Sequence, residues 1–239
     1  MKDKLLKEIR SRGYWRILFE PLELQNIDSP IKCKQLVKES SVHLRGWPFP
    51  HCSDYSKEGE FDVCVGDSFA EGWTSVDKYR ELWRLFQSGQ FINNQGLRED
   101  WSEGVVIKNM WRTGDVELKP MEKLGLVSTV FLITEIYQFL SRLCQKGLYN
   151  GGVKVSISLN NTNNRELFIE QMDRVPFSSP KKTLGDPITF EKIYFPDEIL
   201  SKPNELALIT IVHFFQRFDW ENPNVEVIKK DQERLIKGL

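Results

Sequence analysis

Paired cysteines, phosphate-cradling glycine loops and an excess of either charge are all missing from this 239-residue sequence. Its four cysteines, Cys33, Cys52, Cys64 and Cys144, form no CxxC pair, which argues against a disulfide scaffold and the common zinc knuckles. Lys plus Arg is 33 and Asp plus Glu is 34, so the net charge is only −1. That balance excludes a basic nucleic-acid packaging protein while leaving room for a local patch. No GxGxxG, P-loop, GxSxG, HExxH or EF-hand pattern occurs. Histidine is scarce, at His43, His51 and His213. No repeat or low-complexity linker interrupts the chain. The longest apolar window, residues 124–143, contains Glu135, Gln138 and Arg142. A charge near the centre of a membrane span costs at least about 2.5 kcal/mol, so this window reads as a buried helix. The first ten residues lack the continuous apolar core of a signal peptide. A cytoplasmic protein with free thiols is therefore expected, with no membrane association.

What is present is the composition of a folded domain: 40% hydrophobic and 28% charged residues. Residues 2–11 read as a short amphipathic helix and 15–22 as a strand closed by Pro21. Ser29-Pro30 opens a helix to about Val37, with Ser as cap and Pro at its first position. Residues 41–47 alternate as a strand. Val42 and Leu44 fall on one face, and His43, Arg45 and Trp47 on the other. Residues 61–65 predict another strand. Asp77 is placed to cap a helix through Gln87. Its apolar residues Tyr79, Leu82, Trp83 and Phe86 recur at i, i+3, i+4, i+7, with Gly89 as the stop. Residues 90–98 and 104–111 read as extended.

A long helix is predicted over 119–146, with Ser128, Glu135, Gln138 and Arg142 as a narrow polar line. Residues 153–159 are the clearest strand, with 160–164 as a turn and 167–169 as its hairpin partner. A strand over 188–195, a helix over 204–218 and a last helix capped by Asp231 complete the pattern. Hairpins mixed with separate helices point to an α+β fold, a mixed or antiparallel sheet packed by a long central helix and C-terminal helices. One domain over residues 1–239 is expected, with 113–120 as the sharpest internal boundary.

Two clusters carry recognition chemistry. In the first, His43, Arg45, Trp47 and His51 combine a switchable imidazole, a rigid donor fork and a flat ring, suited to an anionic or planar partner. The competing reading pairs Arg45 with a buried acid and puts Trp47 in a second core. The second cluster is Arg98, Glu99 and Trp101, followed by Trp111 and Arg112. Six of the seven tryptophans lie in the first 111 residues. Trp and Arg are enriched in binding hot spots, which nominates this half of the chain for recognition; the competing reading is a Trp-rich core with a solvated turn. Cys33, His43, His51, Cys52 and Cys64 offer zinc-ligand types at spacings that match no common site. No metal, cofactor or catalytic residue is therefore assigned. Glu135, among apolar neighbours, is a candidate for a shifted pKa.

The stretch from Arg45 to His51 also resembles a group of uncharacterised bacterial proteins with an Arg-Gly-Trp-x-aromatic-Pro-His signature. The resemblance extends over most of the chain, through residues 13–16 (Gly-Tyr-Trp-Arg), 83–91 and 98–101 (Arg-Glu-Asp-Trp). Some members stand beside AlbA-like, Schlafen-type DNA- or ATP-binding domains. That implies a sensing or accessory role in a bacterial regulatory or antiphage defence system. The group supplies no catalytic residues. This chain departs from it at Pro48, where an acidic residue is commoner, so no ligand role is carried to that position.

The leading expectation is a non-catalytic interaction or sensor module with a protein partner. One alternative is a divalent-metal-dependent hydrolase or nuclease using Asp62, Asp67, Glu99, Asp100 or Glu135. The other is a module that stacks single-stranded nucleic acid on aromatic and Arg side chains.

Overall fold

The strongly alternating segments of the chain all enter one sheet. The computed structural model describes residues 2–53, 55–108 and 115–238, and the architecture below is that of these residues. In chain order the elements are α1 (Lys2–Arg10), β1 (Tyr14–Pro21), α2 (Pro30–Ser40), β2 (Phe61–Val65), β3 (Phe69–Val76), β4 (Tyr79–Phe86) and β5 (Phe91–Gly96). A 3₁₀ turn (Arg98–Trp101) precedes β6 (Val106–Ile107), β7 (Val116–Glu117), β8 (Lys123–Gly125) and the long α3 (Leu126–Gln145). Then follow β9 (Val153–Asn160), β10 (Glu166–Phe168), β11 (Lys181–Lys182), β12 (Ile188–Tyr194), α4 (Pro196–Ser201), α5 (Pro203–Gln216) and α6 (Val225–Lys237).

Seven strands form an antiparallel sheet in the order β12-β9-β1-β5-β4-β3-β2. The fold is α+β. α3 lies over one face of the sheet, with α2 beside it and α4, α5 and α6 packed around it. α1 covers the other face at β4 and β5, where Leu5 and Ile9 meet Trp73 and Leu82. Under α3, Phe19, Phe91 and Phe139 stack at centroid distances of 5.0–6.4 Å, and Phe49 closes on Phe139 at 5.9 Å. Such aromatic pairs each add about 0.5–1.5 kcal/mol beyond burial. α3 is long and apolar enough to cross a membrane, but 78% of that window is buried inside the fold, as in the core helix of a soluble domain.

The α3-facing rows of the sheet change character across it. One row runs Ile188, Leu159, Trp15, Gln95, Glu81, Thr74, Phe61. It is apolar from β12 to β1 and polar from β5 to β3. The polar part lies beneath the loop after α2, and the candidate site is built there.

Several expectations are corrected. Residues 77–87 form no helix: Val76 pairs with Tyr79 across a tight turn, with Asp77 at φ 46°, and β4 follows. Both faces of β4 are buried, Leu82 under α1 and Trp83 on the face covered by α2 and the loop after it. Apolar residues on both faces imitate a helical period. Residues 41–47 form no strand; Val42 and Phe49 exchange backbone hydrogen bonds (2.8 and 2.9 Å) and close a loop. β10 does not pair with β9. It lies between β8 and β11 in a separate three-stranded sheet, while β1 and β12 flank β9. The long helix starts at Leu126 rather than 119, because β8 takes Lys123–Gly125. Asp231 is not a cap but a buried residue within α6, bridged by Arg174; Asn224 caps that helix.

Candidate functional site

The loop after α2 is fastened at its base and at its tip. Ser41 Oγ donates to the Pro50 carbonyl (2.8 Å), and Arg142 of α3 donates to the Ser41 carbonyl. Gly46, at φ 75°, takes the left-handed conformation that lets the tip reverse. Arg45 then reaches α3. Its Nε lies 2.9 Å from Glu135 Oε1 and its Nη2 2.7 Å from Oε2. Glu135 is wholly buried. Burial pushes its pKa up, and the Arg45 guanidinium works against that shift.

Trp47 is sandwiched. The His51 ring stacks on it at 4.3 Å and the Tyr79 ring at 4.5 Å, each within 14° of parallel. Arg98 covers the Tyr79 ring at 5.5 Å. Both ring nitrogens of His51 are buried without a hydrogen-bond partner among the described residues. That burial, with the charge of His43 as a smaller cause, pushes its pKa down to about 4. The His51 backbone N–H donates to Glu81 Oε2 (3.1 Å), and Asn93 Nδ2 donates to Oε1 (2.5 Å). Glu81 forms no ion pair among the described residues, and burial, against the smaller pull of the Arg45 charge, pushes its pKa up to about 7.

The four residues of the 3₁₀ turn each do something different. Arg98 points its side chain into the cavity described below. Glu99 Oε1 accepts from Gly125 N and Ser128 Oγ, both at 2.9 Å, at the start of α3. Asp100 accepts from Gly13 N (2.6 Å) and Met121 N (2.9 Å) and forms a fully buried bidentate pair with Arg165 (2.7 and 2.8 Å). Trp101 lies between the guanidinium groups of Arg12 and Arg80, at 4.4 and 4.8 Å.

These parts enclose a cavity of about 290 Å³ under the loop, walled by Arg45, Trp47, Phe49, Tyr79, Gln95, Arg98, Val127, Ser128, Phe131, Glu135 and Glu170. Glu170 caps α3 from the loop after β10, accepting from Val127 N (3.1 Å) and Ser128 N (2.6 Å). Burial pushes its pKa up, and neighbouring Glu99 adds to this. A larger, open groove of about 770 Å³ lies between β11, β12 and the end of α5, but it gathers none of the candidate residues.

Of the expected binding residues, the cavity brings together Arg45, Trp47 and Arg98. His51 supports it from behind Trp47, and Glu99 from the start of α3. His43 is exposed and lines no part of it. Trp101 is engaged in its own stack. Trp111 and Arg112 lie outside the described residues. Of the tryptophans nominated for recognition, Trp15 and Trp83 belong to the core. Sequence reasoning missed Gln95, Phe131 and Glu170, which no local pattern marks.

The carboxylates of the hydrolase alternative do not converge. Asp100 is bound to Arg165, Glu135 to Arg45 and Glu99 to α3, while Asp62 belongs to edge strand β2. Among the described residues, no group of three or more His, Cys, Asp and Glu side chains is placed to hold a metal ion. Comparison with protein-family models, curated proteins and solved structures gives no significant match.

Proposed function

We propose that the chain is a non-catalytic sensor module that binds a small molecule in the cavity under the residue 42–49 loop and signals through that loop to a protein partner. The observation that carries this reading is Arg98. Its guanidinium makes no hydrogen bond or ion pair among the described residues, and its Nε is buried. A part-buried cation without an acceptor is costly, and a ligand acceptor would offset that cost. The aromatic wall and a few convergent polar groups are what small-molecule sites use. The dispersed carboxylates favour binding over hydrolysis. The loop that roofs the cavity also ends in exposed residues, His43 and Gly46, where a partner would read its state.

The test is native mass spectrometry on untreated protein, paired with thermal shift against a metabolite mixture. A small-molecule adduct or stabilisation in the wild type, absent from a folded Arg98→Met variant, is expected. Clean apo mass and no stabilisation by any component would overturn the reading. Stabilisation that survives Arg98→Met would place the site elsewhere.

A further inference from the structure

We infer that the cavity takes a zwitterion of amino-acid size, with its carboxylate on Arg98 and its ammonium facing Glu170. The inference rests on the reading of this cavity as a ligand site and specifies the chemistry of its ligand.

The cavity holds two kinds of charge. Arg45 and Glu135 neutralise each other at bidentate distance. Arg98 and Glu170 form no ion pair among the described residues, although both line the same small space; Glu135 feels the charge of Arg98 and Arg174 that of Glu170 only at longer range, and Glu170 is held by two N–H groups of α3. A cation and an anion that face one cavity and lack ion-pair partners among the described residues are the complement of a molecule that carries both charges. A simple anion would satisfy Arg98 and leave Glu170 as it is. A simple cation would do the reverse.

The donor and acceptor counts agree. The guanidinium fork of Arg98 suits a carboxylate, which it can bind bidentately. Each Glu170 oxygen accepts one N–H from α3 and keeps acceptor capacity for an ammonium. Gln95 lines the same cavity, and its buried Oε1 has no donor among the described residues, so a small side-chain rotation would offer a further acceptor. Glu99 adds negative potential beside Glu170. Glu99 Oε1, Glu170 Oε1 and the Ser128 hydroxyl that donates to Glu99 all crowd against Gly125, so the two carboxylates are close neighbours. An ammonium on the cavity side of Glu170 would relieve their repulsion.

Size and walls complete the argument. At about 290 Å³ the cavity falls just below the range of roughly 300–1,000 Å³ that takes drug-sized ligands, which suits a smaller one. Phe49, Val127 and Phe131 supply an apolar wall for a side chain. Both faces of Trp47 are already occupied by His51 and Tyr79, so it is no free platform for a nucleobase.

The experiment is thermal shift and calorimetric titration of the full chain with each standard proteinogenic amino acid. The best binder is then compared with its own decarboxylated amine and deaminated acid. The expected result is saturable binding of at least one amino acid, weakened about tenfold or more for each single-charge analogue. Arg98→Met and Glu170→Gln should each weaken it as much, and Arg98→Lys less than Arg98→Met. Near-UV circular dichroism identifies any variant that fails to fold; Arg98→Lys then carries the test for the carboxylate end and the amine and acid analogues for both. An acid or amine that binds as tightly as the amino acid through Arg98 or Glu170 overturns the zwitterion and leaves the cavity reading standing. So does a metabolite adduct at Arg98 with no amino-acid binding. Amino-acid binding indifferent to Arg98 and Glu170 overturns both.

Discussion

Arg45 and Glu135 lie 90 residues apart in the chain and meet as a bidentate ion pair that fixes a loop tip to the middle of a buried helix. The acid has no solvent exposure, so the pair is a structural joint whatever else it does. Removing one partner of such a pair strands a buried charge and costs about 3–5 kcal/mol, whereas replacing both with apolar groups is often near neutral. Arg45→Ala is expected to destabilise by that amount in urea unfolding at pH 7. Arg45→Met combined with Glu135→Met is expected to recover most of it. A loss below about 1 kcal/mol for Arg45→Ala would match an exposed pair instead and would free Arg45 for recognition.

Glu81 and His51 touch through one backbone hydrogen bond and respond to pH in opposite senses. Between its ordinary value of 4.5 and about 7, Glu81 keeps a proton in the folded chain that the unfolded chain has released. Stability from this group is therefore lost as pH rises through that window. His51 excludes a proton when folded between about 4 and its ordinary 6.5, so its contribution grows with pH. Glu135 and Glu170, also pushed up by burial, share the sense of Glu81. Glu81→Gln should gain on the wild type steadily from pH 4.5 to 7. His51→Phe should gain on it as pH falls from 6.5 towards 4. Urea midpoints across the range check both, and a constant offset at every pH would contradict them.

The Asp100–Arg165 pair ties the start of β1 and the 3₁₀ turn to β8 and β10. Asp100→Ala is expected to cost about 3–5 kcal/mol. Gly13 permits the close approach: a Cβ there would lie 2.7 Å from Leu97 Cδ1 and 2.8 Å from Asp100 Oδ2, and closer still to Arg165. Gly13→Ala is expected to cost about 1–3 kcal/mol as overpacking. Differential scanning calorimetry of the two variants measures this, and an unchanged midpoint in either would show that the joint can relax.

Gly72 lies beneath the Trp83 ring, and a Cβ there would come within 2.5 Å of Trp83 Cζ2 and Nε1. The ring is held, since Nε1 donates to the His51 carbonyl (2.7 Å). Gly72→Ala is expected to cost about 1–3 kcal/mol. Trp83→Phe, added to it, should show favourable coupling in a double-mutant cycle because it trims the clashing atoms. Additive effects would mean that the sheet moves instead of the ring.

The sequence by itself determined the parts whose signals are local. Ser29-Pro30 opens α2, the alternation at 153–159 makes β9, and the apolar run with Gly147 behind it makes α3. Charge balance, the α+β class and the polar line on α3 were legible for the same reason: each follows from composition or from one period. Tertiary structure decided what has two solutions locally. Residues 79–86 carry apolar side chains at helical spacing, yet they form a strand because α1 on one face and α2 with its following loop on the other bury both of its faces. Residues 41–47 alternate like a strand, yet Val42 and Phe49 close them into a loop. The cavity belongs wholly to this second level. Arg45, Gln95, Arg98, Glu135 and Glu170 come from five separate segments. Only the packing of α3 and the loop after α2 around this end of the sheet pairs Arg45 with Glu135 and leaves Arg98 and Glu170, among the described residues, without an ion-pair partner.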